Sequence, residues 1–113
     1  MLRNTTIKQA QREVKKFLES QGKDWTHINN HFALFTHLSE ETGELARHII
    51  NADFNLLNRK TREPLPREKA ASQIADDLGD ILYHLLKLAI AYNIDLAEAF
   101  EKAMADIRNK YGR

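Results

Sequence analysis

The chain has 113 residues and no cysteine. Disulfides, thiolate zinc sites and cysteine nucleophiles are thereby excluded. Glycine and proline are scarce, at four and two residues, and there is a single tryptophan. No internal repeat or low-complexity segment is visible. A strong charge of one sign is also missing. The formal net charge is +1, which gives no overall case for a nucleic-acid polymer or a membrane surface as partner. Long apolar runs are lacking too. The longest, Ile81 to Tyr92, is broken by His84 and Lys87 and is too short to span a bilayer. The segment Met1 to Gln11 is polar and has no apolar signal-peptide core. A cytoplasmic protein of one domain, residues 1–113, is expected.

What the chain does have is helical periodicity. Val14, Phe17 and Leu18 recur at helical spacing in a first helix from about Thr6 to Gln21, with Gly22 as its stop. Leu34, Leu38, Leu45 and Ile49 form the stripe of a second helix, from about Asn30 to Ala52. A third runs from about Pro66 to Tyr92, with Pro66 as its first residue. Its expected stripe is Ile74, Leu78, Ile81 and Leu85. A fourth runs from its N-cap Asp95 to Tyr111 and ends at Gly112. The polar stretch from about residue 53 to 65 reads as a mobile surface loop. No convincing strand appears, so the predicted class is all-α, a four-helix bundle. The third helix is apolar over most of its circumference, which predicts burial on both sides and hence a homo-oligomer.

Two acidic clusters stand against this ordinary background. One is Glu40-Glu41-Thr42-Gly43-Glu44, and the other is Asp77-Leu78-Gly79-Asp80 with Asp76 beside it. Residues three or four apart share a helix face, and like charges at that spacing cost roughly 0.2–0.5 kcal/mol per pair. Glu41 points within the Leu34–Leu38–Leu45 stripe, Glu44 lies on its flank near His37, and Asp77 and Asp80 flank the third helix's stripe near His84. Antiparallel packing of the two helices would gather Glu41, Glu44, Asp77 and Asp80 at the core margin. Inward carboxylates are costly unless paired or bound to metal, and hard oxygen donors favour Mg²⁺, Mn²⁺ or Ca²⁺. A single acid on a helix is ordinarily solvated, and Asp76 is read that way. His37 and His84 read more simply as hydrogen-bonded histidines at the core edge than as metal ligands. Setting aside Glu40, Glu41, Glu44, Asp77 and Asp80, five of the 16 acidic residues, leaves 17 basic against 11 acidic ones. Acids concentrated in a basic remainder suit a metal-bridged anionic ligand such as a nucleoside triphosphate.

These same residues carry a resemblance. Leu38-Ser39-Glu40-Glu41-Thr42-Gly43-Glu44-Leu45, followed on a later apolar helix by Asp77-x-x-Asp80-Ile81-Leu82-Tyr83, resembles the E-E-x-x-E … E-x-x-D pattern of the MazG-like all-α nucleoside triphosphate pyrophosphohydrolases. That superfamily includes dCTP pyrophosphatases and dimeric dUTPases, and the likeness covers roughly Trp25 to Tyr111. It implies Mg²⁺-dependent conversion of NTP and water to NMP and pyrophosphate, with Mn²⁺ as an alternative ion. It implies Glu41, Glu44, Asp77 and Asp80 as metal ligands. Glu40 would be an outer ligand or would position or deprotonate the attacking water. It also implies an NTP substrate, a homodimer or homotetramer, and a role in clearing the nucleotide pool.

The chain departs from the family at two positions. Asp77 stands where the family has the longer Glu. In the family's Lys-x-x-x-Asn motif, Lys102 matches but Asp106 replaces Asn. Lys102 is the better candidate for a phosphate contact; Arg108 and Lys110 are weaker ones. Trp25 would stack on the base, as an aromatic does in dCTP pyrophosphatase-like relatives, or would be plain core packing. Asn29, Asn30, His31, His37 and His84 are further candidates for the substrate pocket. Two other classes compete with the enzyme. One is a non-catalytic helical oligomer that binds a nucleotide or protein. The other is a di-iron bundle, which the spacing of Glu44-x-x-x-His48 and Asp80-x-x-x-His84 disfavours, because such sites use Glu-x-x-His.

Overall fold

In a computed structural model the described residues are 4–22, 30–53 and 67–112. They form four helices and no strand. These are α1 (Ile7–Ser20), α2 (His31–Asp53), α3 (Arg67–Ala91) and α4 (Leu96–Tyr111). The protein is all-α, of the bundle class, as its periodicity predicts. The expected loop lies outside the described residues from position 54 onward, as does Pro66.

Local chemistry explains the boundaries. Thr6 caps α1 through a capping box: its hydroxyl accepts the Gln9 N–H, and the Gln9 side chain accepts the Thr6 N–H. Gly22, just past the end of α1, has φ +69°, the left-handed region where a side chain is strained. Asp95 caps α4 by accepting the Glu98 N–H, and the Gly112 N–H closes the other end on the Arg108 carbonyl.

The chain divides into two compact units. The first comprises residues 1–34 and 85–113. Its core is Leu18 and Leu34, with Val14, Leu88, Ile90 and Ala91 packed against them. Here α1 packs on α4. The Gln11 amide ties α1 to the turn before α4, donating to the Ile94 carbonyl (2.7 Å) and accepting the Leu96 N–H (2.9 Å).

The second unit comprises residues 35–84. Its described part is the remainder of α2 beside most of α3. Contacts join His48 to Asp77 and Glu41 to His84. As the residue number rises on α2 it falls on α3, so the two helices run antiparallel, the packing that would gather the acids.

The structure corrects the expected stripe of α3. Leu78 and Leu85 are exposed, at 55% and 39%, whereas Asp77 is buried at 5%. From Ala70 to His84 the less exposed positions are Ala70, Gln73, Ile74, Asp77, Ile81, Tyr83 and His84, and beyond them Leu86 to Ala91 are all buried or partly buried. The helix is apolar nearly all round, so apolarity alone did not select the inward side. The inward register places Asp77 and His84 against α2 and leaves Leu78, Leu82 and Leu85 outside. On α1 and α2, Phe17 and Ile49 are likewise more exposed than their stripes suggest.

Candidate metal centre

The second unit brings carboxylates of two helices together. Glu41 and Glu44 come from adjacent turns of one face of α2, and Asp77 comes from the inward face of α3. One ligand atom from each lies within 4.8 Å of the other two. Their environments are graded: Glu44 is exposed, Glu41 partly buried and Asp77 buried.

Glu41 has the most telling surroundings. Its Oε1 lies 3.9 Å from Nε2 of His84, while its Oε2 is buried without a hydrogen-bond partner among the described residues. Burial raises its pKa above the ordinary glutamate value. The charges of Glu44, Asp80, Asp77 and Glu40 act in the same direction. A buried carboxylate oxygen facing other acids, with no donor, is what a hard cation would complete. Three hard oxygen donors of graded exposure fit Mg²⁺ or Mn²⁺, which keep part of their coordination for water or phosphate.

Asp77 is stabilised differently. Nδ1 of His48 and Oδ2 of Asp77 are in close hydrogen-bond contact. An ionised carboxylate at Asp77 would accept from an Nδ1–H of His48. His48 thus contacts Asp77 from the neighbouring helix, where a metal-ligating carboxylate would have its supporting partner. In the sequence His48 stands out only as an ill-spaced iron ligand. Its signal was present in the spacing, since His48 lies four residues after Glu44 and seven after Glu41 on the same face. Gln73, one turn before Asp77, was missed as well; its amide oxygen is buried without a partner among the described residues.

The other expected residues fall into three groups. Asp80 and Glu40 are exposed and stand outside the trio, close enough for their charges to act on Glu41. His84 contacts Glu41, its ring stacks on His37 at 6.2 Å, and Tyr83 meets it edge-on at 5.4 Å. Lys102, Asp106 and Lys110 belong to the first unit. Lys102 Nζ pairs with Asp106 at 2.9 Å on an exposed face of α4, and Lys110 lies 5.3 Å from the Tyr111 ring centroid. The residue that replaces the family's Asn therefore neutralises the lysine one turn before it. In the same unit the His31 ring lies 4.0 Å from that of Tyr92. Trp25 and Asn29 lie outside the described residues.

Among the described residues no helix is long and apolar enough to cross a membrane. Comparison with known proteins gives two findings. The family model of the MazG nucleotide pyrophosphohydrolase domain matches residues 29–112. An uncharacterized protein of Bacillus subtilis (strain 168), YpjD, is 28% identical over 99 residues, spanning 88% of this chain and 80% of that protein.

Proposed function

The chain belongs to the MazG nucleotide pyrophosphohydrolase domain family, and from that premise we propose that it is a Mg²⁺-dependent (d)NTP pyrophosphohydrolase. The reaction is (d)NTP plus water to (d)NMP plus pyrophosphate, serving the nucleotide pool in the cytoplasm. The observation that carries this reading is the Glu41–Glu44–Asp77 trio with its unpartnered, buried Glu41 oxygen.

Glu41, Glu44 and Asp77 would hold the cation, with Asp80 beside them. Bound there, Mg²⁺ or Mn²⁺ supplies charge neutralisation for the phosphates and a lowered pKa for water. Glu40, exposed next to the trio, positions the attacking water and accepts its proton. The water oxygen forms a bond to the α-phosphorus as the bond to the α–β bridging oxygen breaks, and pyrophosphate leaves. His48 keeps Asp77 in place throughout. His84, in ring contact with His37 and Tyr83, would help position Glu41, 3.9 Å away. Positioning and electrostatics supply most of the rate, as in phosphoryl transfer generally.

Product analysis by ion-exchange chromatography, over a panel of NTPs and dNTPs with Mg²⁺ or EDTA, tests the reaction. We expect NMP and pyrophosphate only with the metal. Glu41→Gln should lower kcat/KM by about a hundredfold or more, the equivalent of several kcal/mol of lost charge stabilisation. Binding without turnover of any nucleotide would favour the alternative of a non-catalytic nucleotide-binding oligomer. The departures from the family pattern at Asp77 and Asp106 motivate that second reading.

A further inference from the structure

The first unit contains a groove that the acidic cluster does not explain. It lies between α1 and the turn that joins α3 to α4, with a volume of about 260 Å³. Lys8, Arg12 and Lys15 line it from α1, and Asn93, Ile94 and Asp95 from the turn. The family match begins at residue 29, so none of the three cations falls within it.

We propose that this groove binds a small oligophosphate anion. Lys8, Arg12 and Lys15 stand at i, i+4 and i+7, one face of a helix, over about 10 Å of axis at 1.5 Å per residue. Like charges at this spacing repel, and none of the three has an ion-pair partner among the described residues. The first turn of α1 contains no acidic residue and carries Lys8, so the positive end of the helix dipole adds to the same field. Three cations thus face one carboxylate in the lining, and that carboxylate, Asp95, is engaged in capping α4. The net excess of two positive charges matches an anion with at least two negative ones.

The groove is built rather than incidental. Gln11, which also lines it, spends both ends of its amide on the Ile94 carbonyl and the Leu96 N–H. Asn93 holds a left-handed turn at φ +56°, and Ile94, 46% exposed, offers an apolar rim. A volume of about 260 Å³ lies just below the usual range for drug-sized ligands and suits a short chain of phosphates. A nucleic-acid polymer would need a wider basic field, which a chain of net charge +1 does not supply.

The test is an NMR titration of the full chain in EDTA at constant ionic strength, with sodium tripolyphosphate as probe. It requires no activity and no metal. The Leu96 amide and the Gln11 side-chain amide report from the groove itself. Saturable shifts of both are expected. They should be at least about tenfold weaker in the K8Q/R12Q/K15Q variant, whose changes are all at exposed positions, and intermediate in R12Q. An NTP that shifts the same signals as strongly would identify a nucleotide's phosphate tail as the ligand. A response to tripolyphosphate alone would identify the inorganic chain. The proposal is overturned if the shifts do not saturate, if sulfate reproduces them, if the triple variant responds like the parent, or if a single-stranded oligonucleotide binds where tripolyphosphate does not.

Discussion

Asp77 is 5% exposed and is hydrogen-bonded to His48 across the two antiparallel helices of the second unit. Aspartate is one methylene shorter than the glutamate of the family pattern, and the histidine supports it from the neighbouring helix. His48→Ala should therefore weaken Mn²⁺ binding by about 10- to 100-fold, the usual cost of removing such a support. His48→Asn, which restores a donor near the position of Nδ1, should recover part of it. Electron paramagnetic resonance of bound Mn²⁺ reads the affinity directly, and equal affinity in His48→Ala would remove this role. Lys87 is the other buried charged residue among those described, at 6% exposure. Desolvation lowers its pKa below the ordinary lysine value. The unfolded chain then binds a proton that the folded chain gives up, so stability rises with pH between the folded value and about 10.4. Below the folded value the penalty is complete. Tyr83, whose phenol burial pushes up, acts in the opposite sense: stability falls as pH passes the ordinary tyrosine value. Comparing Lys87→Met with the parent cancels that effect. The stability difference, from denaturant unfolding at stepped pH, should shift in the parent's favour as pH climbs. A difference independent of pH would show that the ammonium carries no such penalty.

α1 and α4 owe their ends to local hydrogen bonds, and two long-range ones join them. α1 is held through Leu18, buried at 2%, and through the two bonds of Gln11, whose partners lie 83 and 85 residues away. Gln11→Ala removes both bonds and leaves the Leu96 N–H without its acceptor. At about 1 kcal/mol per net hydrogen bond, a loss of about 1–2 kcal/mol is expected. It should appear as faster amide exchange concentrated in α1 and the start of α4. Unchanged exchange there would mean that apolar packing alone holds the helix. Both helices were legible beforehand because Thr6, Gly22, Asp95 and Gly112 act on immediate neighbours. The partnership of Gln11 with Ile94 and Leu96 was not legible, since no local pattern marks an amide for a distant turn.

Among the described residues α3 carries an exposed apolar stripe. Leu78, Leu82 and Leu85 are exposed at 55%, 46% and 39% on one continuous helix. At i, i+4 and i+7 they form a stripe on α3, and scattered exposed leucines would not show that spacing. A second copy covering it is the expected outcome, the homo-oligomer that the breadth of this helix predicts. Light scattering should then give a mass above 13.1 kDa, and Leu82→Glu should move it toward that value. A parent already at the single-chain mass at micromolar concentration would contradict this.

The order of residues already settles that the chain is helical, where its helices stop, and that two acidic clusters share faces with apolar stripes. These follow from periodicity and capping, which act over a few residues. Which side of α3 turns inward was left to folding. A helix apolar nearly all round has several burial solutions of similar area, and the contacts of Asp77 with His48 and of His84 with Glu41 distinguish the one adopted. The same holds for the acids. Spacing nominated Glu41, Glu44, Asp77 and Asp80, but only packing of α2 against α3 singled out Glu41, Glu44 and Asp77, because convergence to within 4.8 Å depends on the register between two helices and not on either alone.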